Sequence, residues 1–232
     1  LHDVGVIDEK IEVIPCGVDQ SHFQSIKSNK TAIRNKYKIP LDKFVYVTVG
    51  RNHIKKGFIV LLNAMAEMQR ANSLNDIHVV FIGRNVSKLR TRATELEINN
   101  HLTLVEELGA DTNNHELQIP STSLIELYKS SDACVFPSLI ETFAMINIEA
   151  MAAGIPVVST DAPGCIETIV DGVDGLMVKA GDPIDLSRKM ERLYKDKNLR
   201  ANLIINGHNT VRNSFSWDVV GRQFEDLYLS LI

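Results

Sequence analysis

Residues 44–57 read Phe-Val-Tyr-Val-Thr-Val-Gly-Arg-Asn-His-Ile-Lys-Lys-Gly. Phe44 to Val49 is an uninterrupted β-branched and aromatic run, the pattern of a strand buried on both faces rather than one that alternates between core and water. It stops at Gly50-Arg51. Beyond Gly57, apolar residues recur at Val60, Leu61, Ala64, Met65 and Met68, the spacing of a helix that packs one face. A buried strand, a glycine-flanked loop and an amphipathic helix make the first half of a βαβ crossover.

The same alternation continues outward. An apolar run over residues 77–82 ends at Gly83 and predicts a second strand, followed by a helix over 87–97 and a third strand over 102–105. Residues 106–120 read as a polar loop, after which Ser121, Thr122 or Ser123 can cap a short helix through Tyr128 and Lys129. Further strands are expected over 133–136 and 156–159. Gly172 and Gly175 mark a turn into Leu176-Met177-Val178, helical spacing covers 185–194, and two more helices fit the tail. Strands separated by segments of crossover length imply a parallel sheet covered on both faces, hence an α/β, doubly wound, Rossmann-like domain. Ahead of it, residues 10–18 read as a short strand broken by Pro15 and Gly17, and residues 19–30 as a polar linker.

Composition narrows the function classes. A chain of 232 residues, 44% hydrophobic and 23% charged with net charge -4, suits one soluble domain or one plus a small appendage. No block of like charge offers the clustered basic face that nucleic acid requires. Cys16, Cys134 and Cys165 lack CxxC spacing and read as reduced thiols, which makes the cytoplasm the default compartment. No apolar run reaches the roughly 18 residues of a membrane-spanning helix, although peripheral contact with a membrane surface stays compatible. The chain opens on Leu1 in mid-pattern, so a fragment of a longer protein is expected.

In an open parallel sheet, ligands sit beyond the carboxyl ends of the strands, and three loops there carry chemistry. Gly50 to Gly57 delivers Arg51, Lys55 and Lys56 to that edge. A guanidinium fork and mobile ammonium groups can neutralise a diphosphate, and the bland alternative is a solvated basic loop.

The second loop opens the segment 137–158, Pro-Ser-Leu-Ile-Glu-Thr-Phe-Ala-Met-Ile-Asn-Ile-Glu-Ala-Met-Ala-Ala-Gly-Ile-Pro-Val-Val, whose only charges are Glu141 and Glu149, eight positions apart. An acid inside an apolar helix needs a partner. Eight residues of helix rise about 12 Å, and helical side chains lean back toward the N-terminus, so two acids can flank an anion held at the helix start. The N–H groups of Phe143, Ala144 and Met145 are expected there, unpaired within the helix. That is the outline of a nucleotide sugar, with hydroxyl-bearing rings on either side of a diphosphate. The plainer readings are Glu149 as a buried acid bonded to backbone N–H groups or to Arg51, and Glu141 as an exposed loop acid. In the third loop, residues 161–167, Glu167 reads as a charge favourable to a helix start. No D-x-D pair points to a metal, and the absence of G-x-G-x-x-G after a strand disfavours a dinucleotide-dependent dehydrogenase.

Taken in order, these motifs resemble the donor-binding, C-terminal half of GT-B type retaining glycosyltransferases, the group 1 (family 4) set. Gly50-Arg51 with Lys56-Gly57 is similar to the family's G-R-x-x-x-x-K-G loop. Glu141 to Glu149 is similar to its E-x7-E motif, and Asp171-Gly172 with Gly175-Leu176 to its D-G-x-x-G-x-L turn. The likeness runs from Ile14-Pro15-Cys16-Gly17-Val18-Asp19 to Phe215-Ser216-Trp217. It implies that Gly50, Arg51 and Lys56 serve the donor diphosphate, Glu141 the transferred sugar, Glu149 the ribose, and the N–H groups of Phe143, Ala144 and Met145 phosphate and sugar oxygens. Arg51, Lys56 and Glu141 would then be catalytic.

The resemblance further implies a UDP- or GDP-sugar as donor substrate, no metal or other cofactor, and a sugar, glycan or lipid-linked acceptor. It divides the chain into 1–30, a remnant of an N-terminal domain plus linker; 31–214, the donor-binding domain; and 215–232, a C-terminal helix. Without the N-terminal domain, the fragment should bind donor but scarcely turn it over. The sequence departs from the family pattern at Thr142 and Ala144, where glycine is usual, at Cys16, and in a longer loop over 111–120. A non-catalytic nucleotide-sugar-binding domain and a sugar-nucleotide epimerase of the same architecture are the alternatives.

Overall fold

The computed structural model describes residues 7, 10–106, 108 and 120–232. Six strands form one sheet: β1 (Phe44–Val49), β2 (Ile77–Ile82), β3 (Leu102–Val105), β4 (Ala133–Phe136), β5 (Val157–Thr160) and β6 (Leu176–Val178), ordered β3-β2-β1-β4-β5-β6. Every neighbouring pair is parallel. Parallel neighbours require crossovers, and the helices supplying them bury both faces of the sheet.

The helices are α1 (Gln20–Ser25), α2 (Lys30–Lys36), α3 (Phe58–Arg70), α4 (Leu89–Glu95), α5 (Thr122–Ser130), α6 (Met145–Ala152), α7 (Pro163–Ile166), α8 (Pro183–Lys195), α9 (Lys197–Thr210) and α10 (Trp217–Ser230). On one face, Leu61, Leu62 and Met65 of α3 and Met190 and Leu193 of α8 pack with Tyr46, Val79 and Phe81. On the other, Phe23 of α1, Ile125 and Tyr128 of α5, and Ile148 and Met151 of α6 pack with Val45, Val47 and Val80. The alternation of strand residues between two cores accounts for the unbroken apolar runs.

Polar contacts fix helices to the sheet. The Tyr46 hydroxyl donates to the Met190 carbonyl at 2.6 Å. Arg34, buried on α2, donates to the carbonyls of Ser130 and Lys43 at 2.9 and 3.0 Å and to the Asp132 carboxylate at 2.7 Å. Ser121 caps α5 by accepting from Leu124 N–H at 3.4 Å.

Three expectations are corrected. Residues 10–18 form no strand, because Pro15 offers no N–H and only Val18 makes a bridge, to Ser216. Residues 19–30 are not a free linker: Asp19 caps α1 by accepting from His22 N–H at 2.9 Å, and Phe23 is fully buried. The helix expected over 87–97 is a 3-10 turn (Val86–Lys88) and then α4, which ends before Glu97 because that residue sits at φ 58, in the left-handed region. Most of the polar loop 106–120 lies outside the described residues.

The strand order reverses direction between β1 and β4. Connections from these two neighbours leave toward opposite sides and open a crevice at their carboxyl ends. The loop after β1 is the basic one, and the loop after β4 carries Glu141.

Candidate functional site

The basic loop is built into the crevice wall by its backbone. Its residues Ile54–Lys56 form a 3-10 turn, capped where His53 Nδ1 accepts from Lys55 N–H at 3.2 Å and ended by Gly57 at φ 65. A Cβ on Gly57 would lie 1.8 Å from the Pro137 carbonyl oxygen, so only glycine lets the two loops meet. The Lys55 carbonyl then accepts from Leu139 N–H at 2.7 Å, with the Ser138 hydroxyl at 2.9 Å.

This seam brings the two sequence-distant charges together. The Lys56 ammonium forms an ion pair with Glu141 Oε1 and lies 5.3 Å from the centre of the Phe136 ring. The Glu141 side chain is 12% exposed and the Lys56 side chain 28%, and the Ser138 hydroxyl reaches Glu141 Oε1 at 3.2 Å. The plain reading of Glu141 as an exposed loop acid therefore fails. Arg51 and Lys55 are exposed and have no side-chain partner among the described residues.

Glu149 lies on α6, 8% exposed, and accepts from the Tyr128 hydroxyl at 2.9 Å. Its described partner is neither a backbone N–H nor Arg51. Burial raises its carboxyl to about 7, against which the Tyr128 hydrogen bond works. The neighbouring Cys134 thiol and Tyr128 hydroxyl are pushed well up, chiefly by burial.

The helix start differs from expectation. Ala144 N–H donates to the Gly164 carbonyl at 3.0 Å, and Met145 N–H to the Phe143 carbonyl at 3.0 Å, so neither is free. Phe143 N–H has no partner among the described residues. The cause lies in the third loop, where Gly164 also donates to the Glu141 carbonyl at 3.3 Å. A Cβ there would sit 2.5 Å from the backbone of Thr142. Gly164 thus clips residues 141–144 on both sides. The departures at Thr142 and Ala144 are compatible with this path: Ala144 has φ -83, and its methyl is buried with Phe136, Ala162 and Cys165.

Two contributors were missed from sequence. Ser138 stands beside Glu141 in the quoted segment, so proximity was a usable signal; nothing in the sequence tied Tyr128 to Glu149. Among the described residues, no group of three or more His, Cys, Asp or Glu can hold a metal ion, and no helix is long and apolar enough to cross a membrane.

A family model described as glycosyl transferases group 1 matches residues 29–210. The D-inositol 3-phosphate glycosyltransferase of Corynebacterium kroppenstedtii is 32% identical over 224 residues, covering 95% of this chain and 48% of that protein. The capsular polysaccharide biosynthesis glycosyltransferase CapM of Staphylococcus aureus is 30% identical over 224 residues, covering 95% and 56%. The chain thus spans about half the length of these curated relatives. Among solved structures, Anabaena Alr3699/HepE in complex with UDP superposes with a TM-score of 0.82 at 20% identity, covering 99% of this chain and 60% of that one. The C-terminal domain of the group 1 family protein LpcC from Francisella tularensis gives 0.68 at 23% identity, covering 86% and 99%. The structural likenesses show a shared fold.

Proposed function

The chain belongs to the group 1 glycosyl transferases, and from that premise we propose that it is the donor-binding half of a GT-B enzyme that transfers a sugar from a nucleotide-diphosphate sugar to a hydroxyl, with retention of configuration. The observation that carries the reading is the Lys56–Glu141 pair at the strand-order reversal, beside Arg51 and Lys55. A carboxylate held on a cation at an otherwise basic edge is a stand-in for an anion. A diphosphate competes for Lys56 and gains Arg51 and the Phe143 N–H as further donors. Glu141, released from the ammonium group, then accepts a hydroxyl of the transferred sugar.

In the reaction the bond from the anomeric carbon to the phosphate oxygen breaks, and the electron pair leaves with the nucleoside diphosphate. Arg51 and Lys56 stabilise that growing charge. The acceptor oxygen forms the new bond and gives up its proton to the oxygen of the departing diphosphate. Glu149 holds the ribose hydroxyls. UDP is the first nucleotide to test, because a protein of the same fold binds it; GDP is the next. The relatives' names suggest a carbohydrate or phosphate-bearing cyclitol as acceptor. In this arrangement residues 31–214 bind donor, residues 1–30 lead from an N-terminal domain that supplies the acceptor site, and residues 215–232 follow as a helix. The setting is cytoplasmic, with the membrane surface accessible to a lipid-linked acceptor.

Calorimetric titration of the 232-residue chain with UDP-, GDP- and ADP-sugars tests the reading. Saturable binding of one nucleotide class, weakened by Lys56→Ala, supports it; no binding by folded protein overturns it. Transfer to an acceptor by the full-length protein separates an enzyme from a binding domain that has lost turnover.

A further inference from the structure

Tyr128 reaches Glu149 from α5, the helix that enters β4, while Glu149 sits on the helix that leaves it. The tyrosine is fully buried, and its hydroxyl donates to Oε2 of the carboxylate at 2.9 Å. No described residue bonds the other oxygen, Oε1. The sealed, unpartnered side-chain atoms among the described residues are Thr48 Oγ1, Gln69 Oε1 and Asn147 Oδ1. Glu149 Oε1 is not among them, and the residue as a whole is 8% exposed. A carboxylate has about four acceptor positions, and here one oxygen is anchored by Tyr128 while no described residue takes the other.

We propose that Tyr128 is a positioning residue for nucleotide binding: it anchors Oε2 of Glu149 so that Oε1 is presented, charged, to the vicinal hydroxyls of the ribose. This rests on the assignment of Glu149 to the ribose made above. Other groups near α6 leave the task to Tyr128. Cys134 on β4 faces Glu149 as a neutral buried thiol. On α1, Asp19 is bonded to Ser21 and His22, and His22 to the Pro120 carbonyl. His208 of α9 lies against Gly154, past the end of α6, Arg200 is bonded to the Leu193 and Tyr194 carbonyls, and Arg212 is bonded to Asn209. β5 carries no titratable side chain. Among the described residues, the one hydrogen bond that favours the carboxylate is therefore the tyrosine's.

UDP-glucose and GDP-mannose are suitable probes, because their phosphate diesters do not titrate near neutrality. Calorimetry from pH 5.5 to 9 on the unmodified chain should show affinity rising with pH through about 7. Tyr128→Phe should move that midpoint upward and weaken binding at pH 7 by about tenfold, as expected for one hydrogen bond to a charged group, with the deficit shrinking as pH rises. A general packing defect would lower affinity equally at every pH. Glu149→Gln should bind weakly with no such pH dependence.

The outcomes separate the two ideas. If neither probe binds, or Glu149→Gln binds as tightly as the unmodified chain, the ribose assignment fails and this inference with it. If Glu149→Gln is weakened while Tyr128→Phe matches the unmodified chain throughout, only the role of Tyr128 is overturned. Should Tyr128→Phe not fold, 3-fluorotyrosine at position 128 keeps the ring and strengthens the donor. It should move the midpoint down, and an unmoved midpoint rejects the proposal.

Discussion

Lys56 and Glu141 stand 85 positions apart in the chain and meet as an ion pair where the loops after β1 and β4 touch. Neither loop holds both charges. The pairing follows from β1 and β4 being neighbours in the sheet and from Gly57 allowing their loops into backbone contact.

Removing either cation proposed to meet the donor phosphates should act on turnover, and the two should differ in stability. Lys56→Ala and Arg51→Ala in the full-length protein are each expected to lower kcat about 100-fold or more, the scale of losing a charge-stabilising donor. Arg51 is exposed and unpartnered among the described residues, so its loss should change stability by less than about 0.5 kcal/mol. Lys56→Ala leaves Glu141 without its cation and should cost about 1 kcal/mol, recovered when Glu141→Gln is added. Rates matching the unmodified protein in both single variants would sink the assignment; urea melts check the stability half.

Gly57 and Gly172 offer a controlled comparison. Both have positive φ, 65 and 74, but a Cβ at Gly172 meets nothing within 4 Å, whereas at Gly57 it strikes the Pro137 carbonyl. Gly172→Ala should therefore cost about 1 kcal/mol from backbone strain alone. Gly57→Ala should cost clearly more and weaken donor binding, because the loops must part. Equal melting temperatures for the two variants would contradict the seam.

Glu149 predicts a pH dependence of folding. Its carboxyl titrates near 7 in the folded chain against an ordinary 4.5, so between those values the folded state keeps a proton that the unfolded state has released. Stability must then fall as pH rises from about 4.5, with the loss complete above about 7 and amounting to roughly 3 kcal/mol. Glu149→Gln should remove this contribution. Denaturant midpoints that share one pH profile in both proteins would rule out the assigned titration.

Arg34 is the other buried charge with a strong expectation attached. It ties α2 to the segments that enter β1 and β4, through the Lys43 and Ser130 carbonyls and the Asp132 carboxylate. Arg34→Ala leaves the Ser130 and Lys43 carbonyls without this donor, while Asp132 keeps Lys30 and the Val45 N–H, and should destabilise the chain by about 2–3 kcal/mol. A change below about 1 kcal/mol in chemical denaturation would show the network to be dispensable.

Much of the scaffold was readable in one dimension. The apolar runs at 44–49, 77–82 and 133–136 and the helical spacing after Gly57 determined strand, helix and parallel sheet, since burial on both faces leaves no polar alternation to misread. Glycines, acids and cations at the strand ends marked the loops that meet where the strand order reverses, for the same local reason. Only the tertiary structure decided which partner each group takes. Glu141 meets Lys56 across adjacent strands, Glu149 meets Tyr128 between the helices that enter and leave β4, and Gly164 claims the Ala144 N–H that the helix alone would leave open. Side-chain pairing depends on strand order and on close backbone approach, and these are set by packing between segments distant in the chain.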